Sequence, residues 1–394
     1  MKDLLLILGT RPEAIKMCPL LPALREQGFF PRVAVSGQHR ALLDEALAAF
    51  GVTPEVDMHM MQEGQTPCGV LAAVLARTEA LLHQTRPDMV LVHGDTVTAY
   101  GAALSAFLCG VPVGHVEAGL RTVDLHAPFP EELFRRAIAP MATLHFAPTV
   151  QARDNLLREG VNHAAITVTG NTAIDALAMT WRPDFTHPAL EQAGGRRLIL
   201  LTLHRRETLG HVMHQLLSAV RELADRFADI VIYCPVHPNP AVREAFSILS
   251  GHERILLCEP EGPLVFHNLL ARCYLVMTDS GGLQEEAPFF HKPVLVLREK
   301  TERPEGVAAG VLRLAGDGEG LLREATRLLC DQAAYRQMAA AANPFGDGKA
   351  SRRIAQAIRR YVDDQGMARA RRIAKKSSGT STICNAMPGS ASTT

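Results

Sequence analysis

Short, uninterrupted apolar runs alternate with longer amphipathic segments along most of this chain. Apolar runs that predict strands cover residues 4–8, 32–36, 89–92, 111–116, 198–202, 229–233, 255–257, 275–278 and 294–297. Helical periodicity covers residues 14–27, 39–50, 70–84, 98–108 and 211–227. Continuously apolar strands between helices are typical of a parallel sheet that is covered on both faces.

The pattern breaks near the middle of the chain. Residues 181–196 contain two prolines and two glycines and follow neither period, which indicates a linker. We therefore predict an α/β protein with two Rossmann-like, doubly wound domains that face each other across a cleft. The N-terminal domain is predicted over 1–175 and the C-terminal domain over 196–345. The segment 365–394, basic and then rich in serine and threonine, is expected to be disordered.

Composition narrows the functional classes. The chain has 394 residues with 41 basic and 41 acidic side chains, and a zero net charge argues against nucleic acid or an anionic membrane as partner. No apolar run approaches the length of a membrane span, and the first run ends before Arg11, too early for a signal peptide. Eight cysteines without a CxxC pair indicate a reduced, cytoplasmic protein.

Titratable side chains follow nearly every predicted strand at its carboxyl end, where open parallel sheets bind their ligands. A solvated loop explains any single one of them, but their regular recurrence favours a shared site. Asp95, Glu117, Glu131 and Glu132 are acid/base candidates, because carboxylates near arginines in one cleft have pKa values pushed apart. No HxxxH or CxxC spacing supports the competing idea of a metal there, so no metal is expected.

A second group of residues indicates a nucleotide diphosphate. The segment 278–282 (TDSGG) joins a strand to a helix, and two glycines at a helix start let backbone N–H groups bind an anion. One of Glu285 and Glu286 could hold a ribose, or both could compensate the helix dipole. Neither GxxxxGK[ST] nor GxGxxG is found at the required place, so a P-loop and a dinucleotide site are not indicated. The basic residues able to pair with a diphosphate are Arg11, Lys16, Arg205, Arg206 and Arg303.

Taken together, these motifs resemble the non-hydrolysing UDP-N-acetylglucosamine 2-epimerases. The matching segments are 9–16 (GTRPEAIK), 92–96 (VHGDT), 114–121 (GHVEAGLR), 130–132 (PEE), 169–172 (TGNT), 204–207 (HRRE), 235–237 (PVH), 278–288 (TDSGGLQEEAP) and 301–305 (TERPE). The resemblance implies a glycosyltransferase-B-like homodimer, with dimer contacts in the N-terminal domain, UDP in the C-terminal one, and a final helix, 346–362, crossing back. The implied reaction converts UDP-N-acetylglucosamine to UDP-N-acetylmannosamine for a cell-surface polysaccharide. It proceeds through 2-acetamidoglucal and UDP, without metal or other cofactor.

The resemblance also implies roles for particular residues. The catalytic group would be Asp95, Glu117, Glu131 and His204. Substrate would contact Arg11, Lys16, Arg135, Phe266, Ser280, Gly281, Gly282, Glu286 and Arg303, with Phe266 beside the uracil and Glu286 on the ribose. A second UDP-N-acetylglucosamine would act as activator at Gln38, Gln65, Arg205 and His237.

This chain departs from the family pattern at several positions. Phe134 replaces a usual Asn, Leu203 a usual Gly, Val97 a Thr, and Ala41 a Gln of the activator site. None of these removes a candidate carboxylate. Two alternatives stay open, a hydrolysing 2-epimerase that releases N-acetylmannosamine and a glycosyltransferase of the same fold. A non-enzymatic nucleotide-sugar sensor is less consistent with the acid/base cluster.

Overall fold

A computed structural model describes residues 2–37, 40–60, 65–122, 124–126, 128–205 and 208–379, with the backbone alone described at 40–41 and 366–379. The N-terminal domain contains one parallel sheet in the order β3-β2-β1-β4-β5-β6-β7. Its strands are β1 (Lys2–Leu8), β2 (Phe29–Val35), β3 (Val56–Asp57), β4 (Met89–His93), β5 (Val113–Val116), β6 (Leu144–Ala147) and β7 (Ile166–Val168). Its helices are α1 (Arg11–Met17), α2 (Leu20–Glu26), α3 (Arg40–Ala49), α4 (Pro67–Thr85), α5 (Val97–Leu108), α6 (Glu131–Ile138), α7 (Val150–Arg158) and α8 (Thr172–Thr180).

The C-terminal domain contains a second parallel sheet, in the order β10-β9-β8-β11-β12-β13. Its strands are β8 (Arg197–Thr202), β9 (Ile230–Pro235), β10 (Ile255–Cys258), β11 (Leu275–Thr278), β12 (Val294–Val296) and β13 (Leu312–Leu314). The helices from the linker onward are α9 (Pro188–Ala193), α10 (His211–Arg226), α11 (Pro240–Phe246), α12 (Pro263–Arg272), α13 (Gly281–Glu286), α14 (Pro304–Ala309), α15 (Gly318–Cys330), α16 (Gln332–Ala339) and α17 (Ala350–Gly379). The predicted fold class, two doubly wound α/β domains, is confirmed.

Both faces of each sheet are buried, which explains the unbroken apolar runs. In β1, Leu4, Leu6 and Leu8 pack into one cluster, while Leu5 and Ile7 pack into another on the opposite face. The C-terminal sheet is likewise covered on both sides by separate apolar clusters. A strand inside such a sheet has no solvated face, so it shows no polar alternation.

The structure differs from the sequence pattern in three places. The helix predicted over 14–27 is divided into α1 and α2, and Pro19 lies at the division as the residue before α2. The linker contains the short helix α9. The last helix continues to Gly379, beyond the expected start of disorder at 365, because alanine, arginine, lysine and methionine favour helix even without packing. Residues 380–394 lie outside the described part.

Two chain segments join the domains, and they lie side by side. The Asn171 amide N–H donates to the Phe345 carbonyl at 2.9 Å. The buried Asp175 carboxylate accepts the first amides of α17, from Ala350 at 3.1 Å and from Ser351 at 2.8 Å. Beyond this point α17 packs its apolar residues 354–358 into the N-terminal core. The final helix therefore belongs to the N-terminal domain by packing.

The Asp175→Ala variant should lose about 2–4 kcal/mol of unfolding free energy, because it leaves two buried amide donors at the start of α17 without an acceptor. Asp175→Asn, which keeps one acceptor oxygen, should lose clearly less. Denaturant titration of both variants checks this. Equal stability of the alanine variant and the parent chain would show that the carboxylate does not anchor α17.

No helix in the described residues combines the length and apolar character that crossing a membrane requires. The seven cysteines that fall within the described residues are all free thiols.

Candidate active site

The carboxyl ends of β1, β4 and β5 converge on one edge of the N-terminal sheet. A buried carboxylate, Glu13, ties the loops after β1 and β4 together. It accepts the Gly9 amide at 3.0 Å, the Thr10 hydroxyl at 2.8 Å and the Thr96 hydroxyl at 2.9 Å. These contacts fix the backbone on either side of the cleft floor. Glu13 therefore acts as scaffold, and the side chains that face the cleft come from its neighbours.

Glu117 follows β5 and forms a buried ion pair with the Lys16 ammonium. Its other close neighbour is His93, whose Nε2 lies 3.6 Å from a Glu117 carboxylate oxygen. Burial alone would raise the pKa of Glu117, but the charges of Lys16 and His93 outweigh burial and hold it well below its ordinary value. The Glu117 backbone has φ of 62°, in the left-handed region that non-glycine residues rarely adopt.

Asp95, two residues beyond β4, is ion-paired with Arg135 on α6. Burial raises the pKa of Asp95, and the nearby negative charges of Glu117 and Glu131 raise it further. The positive charge of Arg135 acts in the opposite direction and lowers it. A Glu131 oxygen is buried without a hydrogen-bond partner among the described residues. Asp95 and Glu117 thus have pKa values shifted in opposite directions, the arrangement that lets one group donate a proton while another accepts one.

Glu132, the neighbour of Glu131, has a different environment. Its carboxylate is fully buried, lies 2.7 Å from the Arg136 guanidinium and accepts the Thr122 amide at 3.0 Å. The Arg135 guanidinium also lies 3.5 Å from it. Because these partners occupy both oxygens, Glu132 holds α6 in place and is not available for acid/base chemistry.

A cavity of about 270 Å³ opens beside this cluster, mainly on the C-terminal domain. One end is apolar, with two prolines and an aromatic ring, and the other contains the start of α13. The Ser280 side chain does not cap that helix, so it does not satisfy the amides of the first turn, to which the cavity-lining Gly282 belongs. The lining residues are Arg11, Ile15, Thr202, Leu203, His204, Pro235, His237, Pro260, Glu261, Pro263, Phe266, His267, Ser280, Gly282, Leu283 and Glu286.

His204 is oriented by Asp279, a fully buried carboxylate at the end of β11. Asp279 accepts the amides of His204 and Arg205, both at 2.9 Å, and lies 3.1 Å from the His204 ring. Burial opposes ionisation of Asp279, but the hydrogen bond and charge of His204 outweigh it and lower its pKa. Asp279 belongs to the TDSGG motif that the sequence indicated, but its partner His204 is 75 residues away in the chain, so the motif did not reveal the pair.

The two adjacent glutamates of α13 have separate environments. Glu285 is buried, binds the Asn171 amide and lies 2.5 Å from the Arg303 guanidinium. Glu286 lines the cavity, and burial raises its pKa to about 7. Of the two, only Glu286 is placed to meet a ligand in this cavity.

The remaining predicted site residues divide between the cavity and its surroundings. Arg11 lines the cavity and bridges the domains, because its guanidinium donates to the Glu261 carbonyl at 2.8 Å. Arg303 and Gly281 are not among the lining residues, and Arg303 pairs with Glu285.

Of the three predicted activator residues that the structure describes, Gln65 and Arg205 do not line this cavity. His237 lines it, and its ring stacks on His204 with centroids 5.8 Å apart. Arg205 pairs with Glu302 at 2.9 Å, and the Gln65 side chain donates to the Met60 carbonyl at 3.1 Å. Gln38, Arg206 and Glu207 lie outside the described residues. The activator site stays a prediction.

Two facing Rossmann-like domains, with the start of α13 at the cavity on one side and a carboxylate cluster on the other, form a glycosyltransferase-B-like fold. Comparison with known proteins agrees. A crystal structure of a glycosyltransferase of kitacinnamycin has a TM-score of 0.61 over 91% of this chain and 98% of its own. At 14% identity that likeness shows the fold alone.

Residues 23–359 match the family model of UDP-N-acetylglucosamine 2-epimerase. The UDP-N-acetylglucosamine 2-epimerase of Bacillus subtilis is 49% identical over 358 residues, covering 89% of this chain and 93% of that protein. The Escherichia coli K12 enzyme is 44% identical, with 90% and 98% covered. The Neisseria meningitidis UDP-GlcNAc 2-epimerase, solved with UDP-GlcNAc bound, is 37% identical, with a TM-score of 0.83 and 90% and 99% covered. The chain belongs to the UDP-N-acetylglucosamine 2-epimerase family and is an isomerase.

Proposed function

We propose that this protein is a non-hydrolysing UDP-N-acetylglucosamine 2-epimerase, which interconverts UDP-N-acetylglucosamine and UDP-N-acetylmannosamine. One observation carries the proposal. A cavity with an anion-binding helix start faces a buried cluster in which Asp95 has a raised pKa and Glu117 a lowered one. The cavity suits a nucleotide diphosphate, and the cluster suits proton transfer at the attached sugar. The Neisseria meningitidis relative, which binds UDP-GlcNAc, supports the same substrate.

The cavity provides a group for each part of UDP. Phe266 with Pro260 and Pro263 forms a flat apolar wall for the uracil. The Glu286 carboxylate, which lines the cavity, would accept hydrogen bonds from the ribose hydroxyls. The diphosphate would meet the first amides of α13, and the cations Arg11 and Lys16 extend from α1 on the facing domain. The sugar would then lie toward the N-terminal domain, next to the carboxylates.

The chemistry requires bond cleavage at C1 because the C2 proton has no adjacent carbonyl to make it acidic. A carboxylate takes that proton, the C–H electrons form the C1=C2 bond of 2-acetamidoglucal, and the C1–O electrons leave with UDP. In the return step a UDP oxygen attacks C1, and an acid delivers a proton to the opposite face of C2. Atoms and charge balance without a cofactor, and preorganised cations stabilise the departing diphosphate.

Two proton-transferring groups are needed, one for each face of the sugar. Asp95, with a pKa raised by burial, and Glu117, with a pKa lowered mainly by Lys16, can be protonated and ionised at the same pH. Glu131, with an oxygen that has no described partner, is a third candidate. His204, held by Asp279, would lie near the leaving group.

A single incubation in D2O tests the reaction type. Substrate UDP-N-acetylglucosamine followed by NMR should give an equilibrium mixture with UDP-N-acetylmannosamine, and both sugars should carry deuterium at C2. Free N-acetylmannosamine and UDP as the main products would instead indicate the hydrolysing alternative. Absence of turnover without an added acceptor would favour a glycosyltransferase.

We propose a homodimer with this function. The N-terminal domain exposes Phe107 and Leu108 at the end of α5, Phe129 just before α6 and Leu133 on α6, at 55%, 73%, 68% and 49%. Helices α5 and α6 are neighbours, and large exposed apolar side chains on them support a subunit contact there. Free thiols at all seven described cysteines support a reducing, cytoplasmic location. We propose that the product supplies a cell-surface polysaccharide.

A further inference from the structure

Three side chains of metal-binding type meet on the surface of the N-terminal domain, outside the cleft. Glu79 and His83 lie one turn apart on α4, and Cys109 follows the last residue of α5. One ligand atom from each of the three lies within 4.8 Å of the others. Glu79 Oε1 and His83 Nε2 are 4.0 Å apart. The described parts of the chain contain no other such group of three.

This cluster lies at the edge of the sheet opposite the active site. Helix α4 leads into β4 and α5 leads out of it, so both helices run against the strand direction. They pack side by side through Val74, Ala102 and Ala106. Their carboxyl ends therefore lie together at the amino edge of the sheet. A ligand bound there is separated from Asp95 and Glu117 by the length of the strands.

The ends of the two helices favour a cation. The last carbonyl groups of a helix carry partial negative charge, and that charge is concentrated in the final turn. His83 is in the last turn of α4, and Cys109 is the residue that caps α5. The Glu79 carboxylate adds a full negative charge. The cluster thus combines a favourable field with one oxygen, one nitrogen and one sulfur ligand.

We propose that Glu79, His83 and Cys109 bind a divalent cation of the zinc class, with water as the fourth ligand. Zinc accepts carboxylate, imidazole and thiolate at about 2.0–2.3 Å in tetrahedral geometry, which places ligand atoms roughly 3.3–3.8 Å apart. The present spacing is within about 1.5 Å of that requirement. The Glu79 and His83 side chains are 64% and 73% exposed, so each can rotate toward the metal without disturbing the core.

The metal site would be structural and would link two helices, and it would have no part in catalysis. Zinc binds cysteine as the thiolate, so binding would release the sulfur proton to solvent. The metal would tie the ends of α4 and α5 together and stabilise the N-terminal domain by its binding free energy. This inference does not depend on the proposed reaction.

Cobalt(II) titration of the chelator-treated, reduced full chain tests the proposal. The parent chain should bind about one Co2+ with a thiolate-to-cobalt charge-transfer band, and Zn2+ should displace it. Cys109→Ser should lose the band. Cys330→Ser, which removes an exposed thiol at the end of α15, should keep it. His83→Gln should weaken Zn2+ binding at least about tenfold, the loss that even an outer-sphere change causes.

Melting temperatures with and without Zn2+ give a second test of the proposal. Zn2+ should raise the melting temperature of the parent chain and of Cys330→Ser, but not that of Cys109→Ser. The metal-free parent chain and Cys330→Ser should melt together, because Cys330 is exposed. Cys109 packs partly against the N-terminal core, so Cys109→Ser is judged by the absence of a Zn2+-induced rise and not by its own melting temperature. A parent chain without the charge-transfer band, or a band that persists in Cys109→Ser, would overturn the proposal.

Discussion

The Asp95→Asn variant is expected to lose turnover by roughly 10²–10⁴-fold, the usual contribution of a positioned acid or base. The amide has nearly the same shape as the carboxyl but neither donates nor accepts the proton that C2 must exchange. UDP should bind almost as tightly as to the parent chain, because Asp95 does not line the cavity in which we propose that the nucleotide binds. Loss of kcat with retained UDP affinity, measured by steady-state kinetics and calorimetry, checks this.

The structure supplies a control for this variant. Arg135 keeps a second carboxylate, since its guanidinium also lies 3.5 Å from Glu132, so the substitution does not leave a buried guanidinium unpaired. Asp154→Asn makes the same chemical change on α7, where the aspartate pairs only with its neighbour Arg153 at the surface. Asp154→Asn should be fully active. Near-normal turnover of Asp95→Asn would contradict a role for Asp95 in proton transfer.

The Lys16→Met variant is expected to lose roughly 10²–10³-fold in kcat/KM and to show a displaced pH profile. Lys16 is the ion-pair partner of Glu117, and in the proposed reaction it is also a cation for the departing diphosphate. Without the Lys16 ammonium, the effect of burial, which raises the pKa of Glu117, is opposed mainly by His93. The pKa of Glu117 therefore rises. Less Glu117 is then ionised at a given pH, and the acid limb of the profile moves to higher pH.

The Lys16→Arg variant distinguishes the effect of the positive charge at this position from the effect of the side chain's shape. A guanidinium keeps the positive charge beside Glu117, so the acid limb should stay where it is in the parent chain, even if misplacement of the cation lowers kcat/KM. Profiles of kcat/KM over pH for all three proteins give the comparison. An acid limb that stays unchanged in Lys16→Met would show that Glu117 does not need to be ionised for the reaction.

Much of the fold was predictable because fully buried strands show a strong signal. The apolar runs at β1, β4, β8 and β11 matched the structure to within two residues at their ends. The pattern missed the short strands β3, β6, β7 and β13, because a polar residue interrupts the apolar run in each of them, namely Asp57, His145, Thr167 and Arg313. The extension of α17 to Gly379 was missed for another reason. Its propensity is helical, but its composition lacks the apolar period that indicates packing.

The sequence indicated individual candidate residues of the site, but it did not indicate which side chains pair with one another. Strand ends and motifs indicated Asp95, Glu117 and the start of α13. The local pattern did not separate Glu285 from Glu286, because both fall in the same turn of the same short helix, and only the family resemblance indicated Glu286. What separates them is Asn171, 114 residues earlier in the chain, which engages Glu285 and leaves Glu286 to the cavity. Pairs of this kind form only where distant segments meet in the folded chain, and the local sequence pattern does not indicate such contacts.

The packing of α17 has a consequence for synthesis of the chain on the ribosome. The N-terminal domain ends at α8, yet its core includes Ile354, Ala355, Ala357 and Ile358. At about 5–20 residues per second, the roughly 180 residues between α8 and these positions take about 10–35 s to emerge. For that time Leu20 and Leu24 lack the partners that cover them in the finished protein. The domain made first is thus the domain completed last.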